Sequence, residues 1–210
     1  MRLIFNFKTI ISMKKISLLL TCGLFIACNT KNEESKLETS TDSVTTTVEK
    51  TVEKESYSNE LTLNNITFKI SVIGNQLTIT PNGLTEDNSV ISRTIDGNVT
   101  KAEIGDINSD SSPELFIYTS SGGNENIGKA YGFSVNNGKS VSDISIPSLS
   151  ENKDAYSGYN GNDEFSIVEN SLIQRFPLTN NSKSKYKQIQ YKLVDGEASR
   201  KLVVHKISEF

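Results

Sequence analysis

Between Gly105 and Phe133 the chain reads GDINSDSSPELFIYTSSGGNENIGKAYGF, so two polar loops of different chemistry flank one apolar run. Asp106, Asn108, Asp110 and Glu114 occupy positions 1, 3, 5 and 9 of the first loop. That is the spacing by which a chain curls oxygen ligands around a hard cation such as calcium. The sixth position, where such a turn needs positive φ and glycine is usual, is Ser111, and the twelfth, where a bidentate Glu would stand, is Ile117. An EF-hand is therefore excluded. The competing reading is a set of Asx-turns that close the loop on itself, and both departures favour it.

The second loop runs through Ser120, Ser121, Gly122, Gly123 and Asn124 to Gly128. It offers hydroxyl and backbone donors on a chain slim enough to enter a narrow cleft. A phosphate cradle would need a helix to follow, whereas the next run, Ala130 to Val135, reads as a strand. Taken alone, the loop reads more simply as a plain connection. Catalysis has little to work with. The single histidine, His205, sits in a strand-like run, and both cysteines, Cys22 and Cys28, precede the folded part. Carboxylates such as Asp163, Glu164, Asp195 and Glu197 are present, so a two-carboxylate glycosidase survives by inventory only. Solvated turn charges are the simpler account, and no enzymatic activity is expected.

These loops must be held by strands. From Glu60 onward the sequence consists of short runs rich in Ile, Val, Thr, Phe and Tyr, bounded by Asn, Gly, Asp or Pro, the pattern of strands and turns. Eleven runs are expected as strands: 66–73, 76–80, 90–95, 99–104, 114–119, 130–135, 141–146, 164–169, 171–176, 186–194 and 201–207. Gly74-Asn75, Asp96-Gly97-Asn98 and Asn136-Asn137-Gly138 suit hairpin turns. Alternation such as Phe68, Ile70, Val72 against Lys69, Ser71 gives one buried face per sheet. The expected fold is all-β, an antiparallel β-sandwich or flattened barrel over residues 60–210.

The N-terminus reads as an export signal. Met1 to Lys15 carries Arg2, Lys8, Lys14 and Lys15 with no acid, and Ile16 to Ala27 is apolar, about a dozen residues and too short to span a bilayer. Phe25-Ile26-Ala27-Cys28 resembles a bacterial lipobox. It implies a signal peptide over 1–27, a lipid anchor such as palmitate on Cys28, and a cell-envelope lipoprotein on the outer membrane, facing the periplasm or the cell surface. Residues 28–59 are dominated by Thr, Ser, Glu and Lys and are expected to form a disordered tether. Removing residues 1–27 takes four of the 22 basic residues and none of the 25 acidic ones, leaving 18 minus 25, or −7. Nucleic acid is an unsuitable partner for that charge.

Two resemblances bear on function. The 106–114 loop is similar to the calcium loops between strands of FG-GAP repeats. More extensively, GDINSDSSPELFIYTSSGG, AYGFSVNNGKS, GYNGNDEFSIVENSLIQRFP and QIQYKLVDGEASRKLVVHKISEF together resemble the periplasmic inhibitors of invertebrate-type (I-type) lysozyme, over roughly Asn98 to Phe210. This resemblance implies an exported all-β inhibitor that places a loop in the lysozyme's substrate cleft. The loop is then Ser120, Ser121, Gly122, Gly123 and Asn124, and the partner is lysozyme. In related inhibitors a Ser-Gly pair is soon followed by Tyr, whereas here Glu125 follows. Arg175, Arg200, Asp163, Glu164, Tyr156 and Tyr159 are expected to be scaffold. A second reading is a calcium-holding surface module that binds a glycan or another envelope component. A second copy of the chain stays open as a partner.

Overall fold

The computed structural model describes residues 55–178 and 185–210. The signal peptide, Cys28 and the tether as far as residue 54 lie outside them. The described chain is all-β and antiparallel. Strands β1 (Glu55–Leu63), β2 (Ile66–Ile73), β3 (Gln76–Asn82) and β4 (Ile91–Thr94) form one meander. A second contains β5 (Asn98–Gly105), β6 (Glu114–Ser120), β7 (Gly128–Asn136) and β8 (Ser140–Ile144). The third contains β9 (Glu164–Val168), β10 (Ser171–Leu178), β11 (Lys185–Val194) and β12 (Lys201–Glu209). None of the three sheets closes into a barrel.

All eleven expected strands form, with ends within two residues of expectation. β1 is an addition, and its start at Glu55 takes 55–59 from the expected tether into the folded part. Its sequence, ESYSNELTL, half-buries only alternate positions such as Tyr57 and Leu61, as an edge strand with one weakly apolar face does. The β1–β2 turn, Asn64-Asn65, has φ of +51° and +63°, a mirror-type turn that asparagine tolerates. Gly74-Asn75 and Asn137-Gly138 make hairpins as expected. Asp96-Gly97-Asn98 does not: it carries the chain from β4 to β5, which belong to different sheets. At Gly97 a side chain would strike the Ser120 carbonyl oxygen at 2.4 Å, so glycine is required by that close approach.

The number of layers also departs from a two-sheet sandwich. The middle sheet is covered on both faces. Leu115 and Ile117 of β6 join Phe133 and Val135 of β7 against Phe68, Ile70, Leu77 and Ile79 of the first sheet. The alternate residues Phe116 and Tyr118 pack against Leu172, Phe176, Ile189 and Tyr191 of the third. Each fully buried Leu, Ile or Phe contributes about 1.5–3 kcal/mol, so β6, with four apolar or aromatic positions nearly inaccessible to water, is the spine of the molecule. Polar ties join the layers. Glu103 of β5 accepts hydrogen bonds from Tyr118 Oη at 3.0 Å and from the Ile167 N–H of β9 at 2.9 Å.

This topology separates the two loops. The acidic loop leads into β6 and the glycine-rich loop leads out of it. Seven residues of strand set them about 20 Å apart, at opposite ends of the middle sheet, where they cannot share a ligand.

Candidate functional site

The glycine-rich loop joins β6 to β7 through residues 121–127, and residues 121–125 are all exposed. Gly122 and Gly123 have φ of +70° and +81°, and neither would bring an added Cβ within 4 Å of another atom. The tip therefore stands clear of its own sheet. Its base is tightly organised. Ser121 donates its N–H to the Ile127 carbonyl at 2.9 Å and accepts the Ile127 N–H on Oγ at 2.9 Å. Ser120 Oγ bonds to Asn126 Oδ1 and accepts the Gly122 N–H at 3.2 Å. Both serine hydroxyls are thus engaged within the loop. The Gly122 carbonyl accepts the Ser121 hydroxyl at 3.2 Å, so the groups left to face outward are the backbone of Gly123 and the side chains of Asn124 and Glu125.

A second segment braces the loop from the third sheet. The Asn162 N–H donates to the carbonyls of Glu125 and Asn126 at 3.1 and 3.0 Å. Gly161 lies so close beneath that a Cβ would fall 1.7 Å from the Glu125 oxygen. Asp163 Oδ2 accepts the Gly128 N–H at 2.8 Å and the Tyr159 hydroxyl at 2.5 Å. Its Oδ1 accepts Gln174 Nε2 at 2.6 Å. The Gln174 amide oxygen in turn meets the hydroxyls of Tyr156 and Tyr191, each at 2.7 Å. Burial raises all three tyrosines above their ordinary value, with the Asp163 charge adding to the shift. They remain neutral donors at any physiological pH.

Asp163, Tyr156 and Tyr159 thus belong to the hydrogen-bond network beneath the loop, and Asp163 enters it through hydrogen bonds rather than the expected ion pair. Gly161, Asn162 and Gln174 were not singled out from sequence. The GYNGND stretch, with positive φ at Gly158, Gly161 and Asn162, carried the one local signal, a glycine-rich approach to another backbone.

At the other end of β6, Asp106 accepts the N–H groups of Asp110 at 3.0 Å and Ser111 at 2.9 Å. Asp110 accepts Ser112 N–H at 2.8 Å and Asn108 Nδ2 at 2.9 Å. Ser111 has φ of +67°, so the sixth position does adopt the left-handed conformation, with serine in place of glycine. The positive charge facing the loop is a side chain. Arg200 reaches Asp110 at 2.5 Å, Glu114 at 3.3 Å, the Ser134 hydroxyl at 2.6 Å and the Val135 carbonyl at 3.1 Å. Glu114 is inaccessible to water and also accepts the Ile107 N–H at 3.0 Å and the Ser134 hydroxyl at 2.8 Å. Burial raises its pKa to about 7 against the pull of those donors. The loop's oxygens are engaged as Asx-turns and an internal ion pair. Among the described residues no group of three or more His, Cys, Asp or Glu is disposed to hold a metal ion.

The remaining candidates lie apart. Arg175 bonds to Gln188 at 3.2 Å and covers the Phe210 ring at 5.2 Å. His205, Glu164 and Glu197 are exposed on the third sheet or its turns, and the exposed Asp195 lies 3.7 Å from Arg200 Nε. The comparisons with known proteins return no match: no family model, no curated protein and no solved structure is similar to the chain.

Proposed function

We propose that this protein inhibits a lysozyme, of the invertebrate type first, by occupying the substrate cleft with the Gly122–Asn124 tip, without turnover. One observation carries the reading: the tip stands free of its own sheet while its base is fixed from both sides. A segment already held in its bound shape loses little conformational entropy on docking. A lysozyme cleft presents acidic catalytic groups, and the Gly123 N–H and the Asn124 amide would donate to them. The net acidity of the chain would favour encounter with a cationic enzyme. Anchorage through a lipid on Cys28 would hold the inhibitor at the outer membrane, on its periplasmic or outer side.

The test is the rate of peptidoglycan lysis by an invertebrate-type lysozyme with and without the purified protein. Dose-dependent slowing is expected, lost when Gly122 and Gly123 are both replaced by valine, which forces β-branched residues into positive φ. Undiminished lysis across invertebrate, chicken and goose types would reject the proposal.

A further inference from the structure

A cavity of about 440 Å³ opens beside the base of the loop, between the second and third sheets. Its walls include four tyrosines and a phenylalanine, Tyr131, Tyr156, Tyr159, Tyr191 and Phe165, with Gln174 among them. Tyr156 and Tyr159 meet at right angles, with ring centroids 5.5 Å apart. Phe176 stacks on Tyr156 and meets Tyr159 edge to face with centroids 4.9 Å apart, and Tyr118 stacks on Phe165. Rings set at a corner and backed from behind are rigid, and their faces carry negative potential.

The polar groups add to that sign. Tyr159, Gln174 and the Gly128 N–H all line the cavity and all donate to Asp163. Asp163 has no Lys or Arg within ion-pair distance among the described residues, so a carboxylate without a counter-cation lies behind the wall. The one basic side chain on the lining, Lys129, is held by Asp96 at 2.6 Å on the rim and neutralised there. The Tyr156, Tyr191 and Gln174 polar atoms satisfy one another. The interior therefore has few free donors or acceptors for a polyol such as a sugar ring. An anion would face the ring faces and Asp163. An organic cation on an apolar stem matches both.

We infer that this cavity is a binding site for an alkylammonium group, held by cation–π contact with Tyr156, Tyr159 and Phe165 and by the field of Asp163. The volume lies in the range of small-ligand sites and takes a trimethylammonium head with part of its chain, or a lysine side chain presented by another protein. This inference does not depend on lysozyme inhibition.

The protein has seven tyrosines and no tryptophan, and four of the tyrosines line the cavity, so tyrosine emission reports occupancy directly. The purified protein would be titrated with choline, with choline's neutral isostere in which a tert-butyl group replaces the trimethylammonium, and with Nα-acetyl-lysine amide. A saturable change with choline is expected, about tenfold tighter than with the isostere. Phe165→Leu should weaken it about fivefold, and Tyr159→Phe, which keeps the ring, should leave it within about twofold. Tighter binding of the lysine amide than of choline would name a protein side chain as the natural source, and the reverse a free ammonium compound. Equal affinity for choline and its isostere, or no saturable response to either cation, overturns the inference. That wild-type comparison decides even where a variant fails to fold. No lysozyme enters the experiment, so its outcome is separate from that of the inhibition assay.

Discussion

Asp163, the residue before β9 of the third sheet, accepts the backbone N–H of Gly128, the first residue of β7, at 2.8 Å. One carboxylate thereby fixes where the exposed loop rejoins the middle sheet. An added Cβ on Gly128 would sit 2.6 Å from the Cβ of Asp163, so the two backbones meet with no room for a side chain between them. Gly128→Ala is expected to part them, with a destabilisation of about 1–3 kcal/mol from overpacking. Asp163→Asn keeps the volume but weakens the charge-assisted bonds to Gly128, Tyr159 and Gln174, at a cost of about 1–3 kcal/mol. In both variants lysozyme inhibition should fall by more than the change in folding stability explains, because the brace is lost before the fold. Urea unfolding beside the lysis assay checks this. Undiminished inhibition in Gly128→Ala would show that the brace is irrelevant to the tip.

Arg200 is the counter-ion of the acidic loop. Replacing it with methionine keeps the stem and leaves Glu114 buried without its guanidinium and Asp110 without its partner. Removing one member of a buried pair costs about 3–5 kcal/mol. Since Arg200 faces the Asp110 and Glu114 oxygens, calcium has little to add. Melting curves of the wild type in calcium and in chelator should coincide, and a shift of several degrees with calcium would restore the cation reading of Asp106, Asn108, Asp110 and Glu114.

What was legible in the sequence followed the range of the interactions. The eleven strands are written in local runs, and the left-handed sixth position of the acidic loop is implied by its Asx spacing, although serine fills it. The third layer was half visible, because Leu115, Phe116, Ile117 and Tyr118 form an unbroken apolar run. Such a run belongs to a strand covered on both faces, whereas the alternation of Phe68, Ile70 and Val72 from which the two-sheet expectation was drawn marks only one. Strand β1 was hidden because an edge strand needs only Tyr57 and Leu61 to seat it. The brace and the ion pair were not legible at all. Asp163 lies 35 residues from Gly128 and Arg200 lies 86 from Glu114, and nothing local to either residue marks its partner.

The buried carboxyl gives stability a definite pH dependence. Glu114 is raised in the fold from its ordinary 4.5 to about 7, so between those values the folded state holds a proton that the unfolded chain has released. This contribution is full below about pH 4.5 and disappears as the pH rises through about 7, with a total of order 3 kcal/mol. Glu114→Gln should flatten the fall in melting temperature over that window, and the difference between the two profiles isolates the group from other carboxylates. Arg200→Met should be more damaging at pH 8 than at pH 5, since only the ionised Glu114 needs the guanidinium. Parallel profiles for the wild type and Glu114→Gln would refute the assignment.

Glu125 is the one acidic side chain on the exposed tip. Its carbonyl is held by Asn162, which fixes its backbone, so changing the side chain alters charge without altering the loop. If the tip enters a cleft bearing two catalytic acids, this carboxylate opposes them, and the repulsion grows as water is excluded. Glu125→Gln should then tighten inhibition of an invertebrate-type lysozyme by about three- to tenfold, or about 0.7–1.4 kcal/mol. The gain should shrink as salt is raised if the carboxylate stays near the cleft mouth, and persist if it is carried inside. Unfolding curves should be unchanged within about 0.5 kcal/mol, as for an exposed position without partners. A loss of inhibition in Glu125→Gln would mean that the carboxylate makes an attractive contact, so that the tip meets a basic surface and not an acidic cleft.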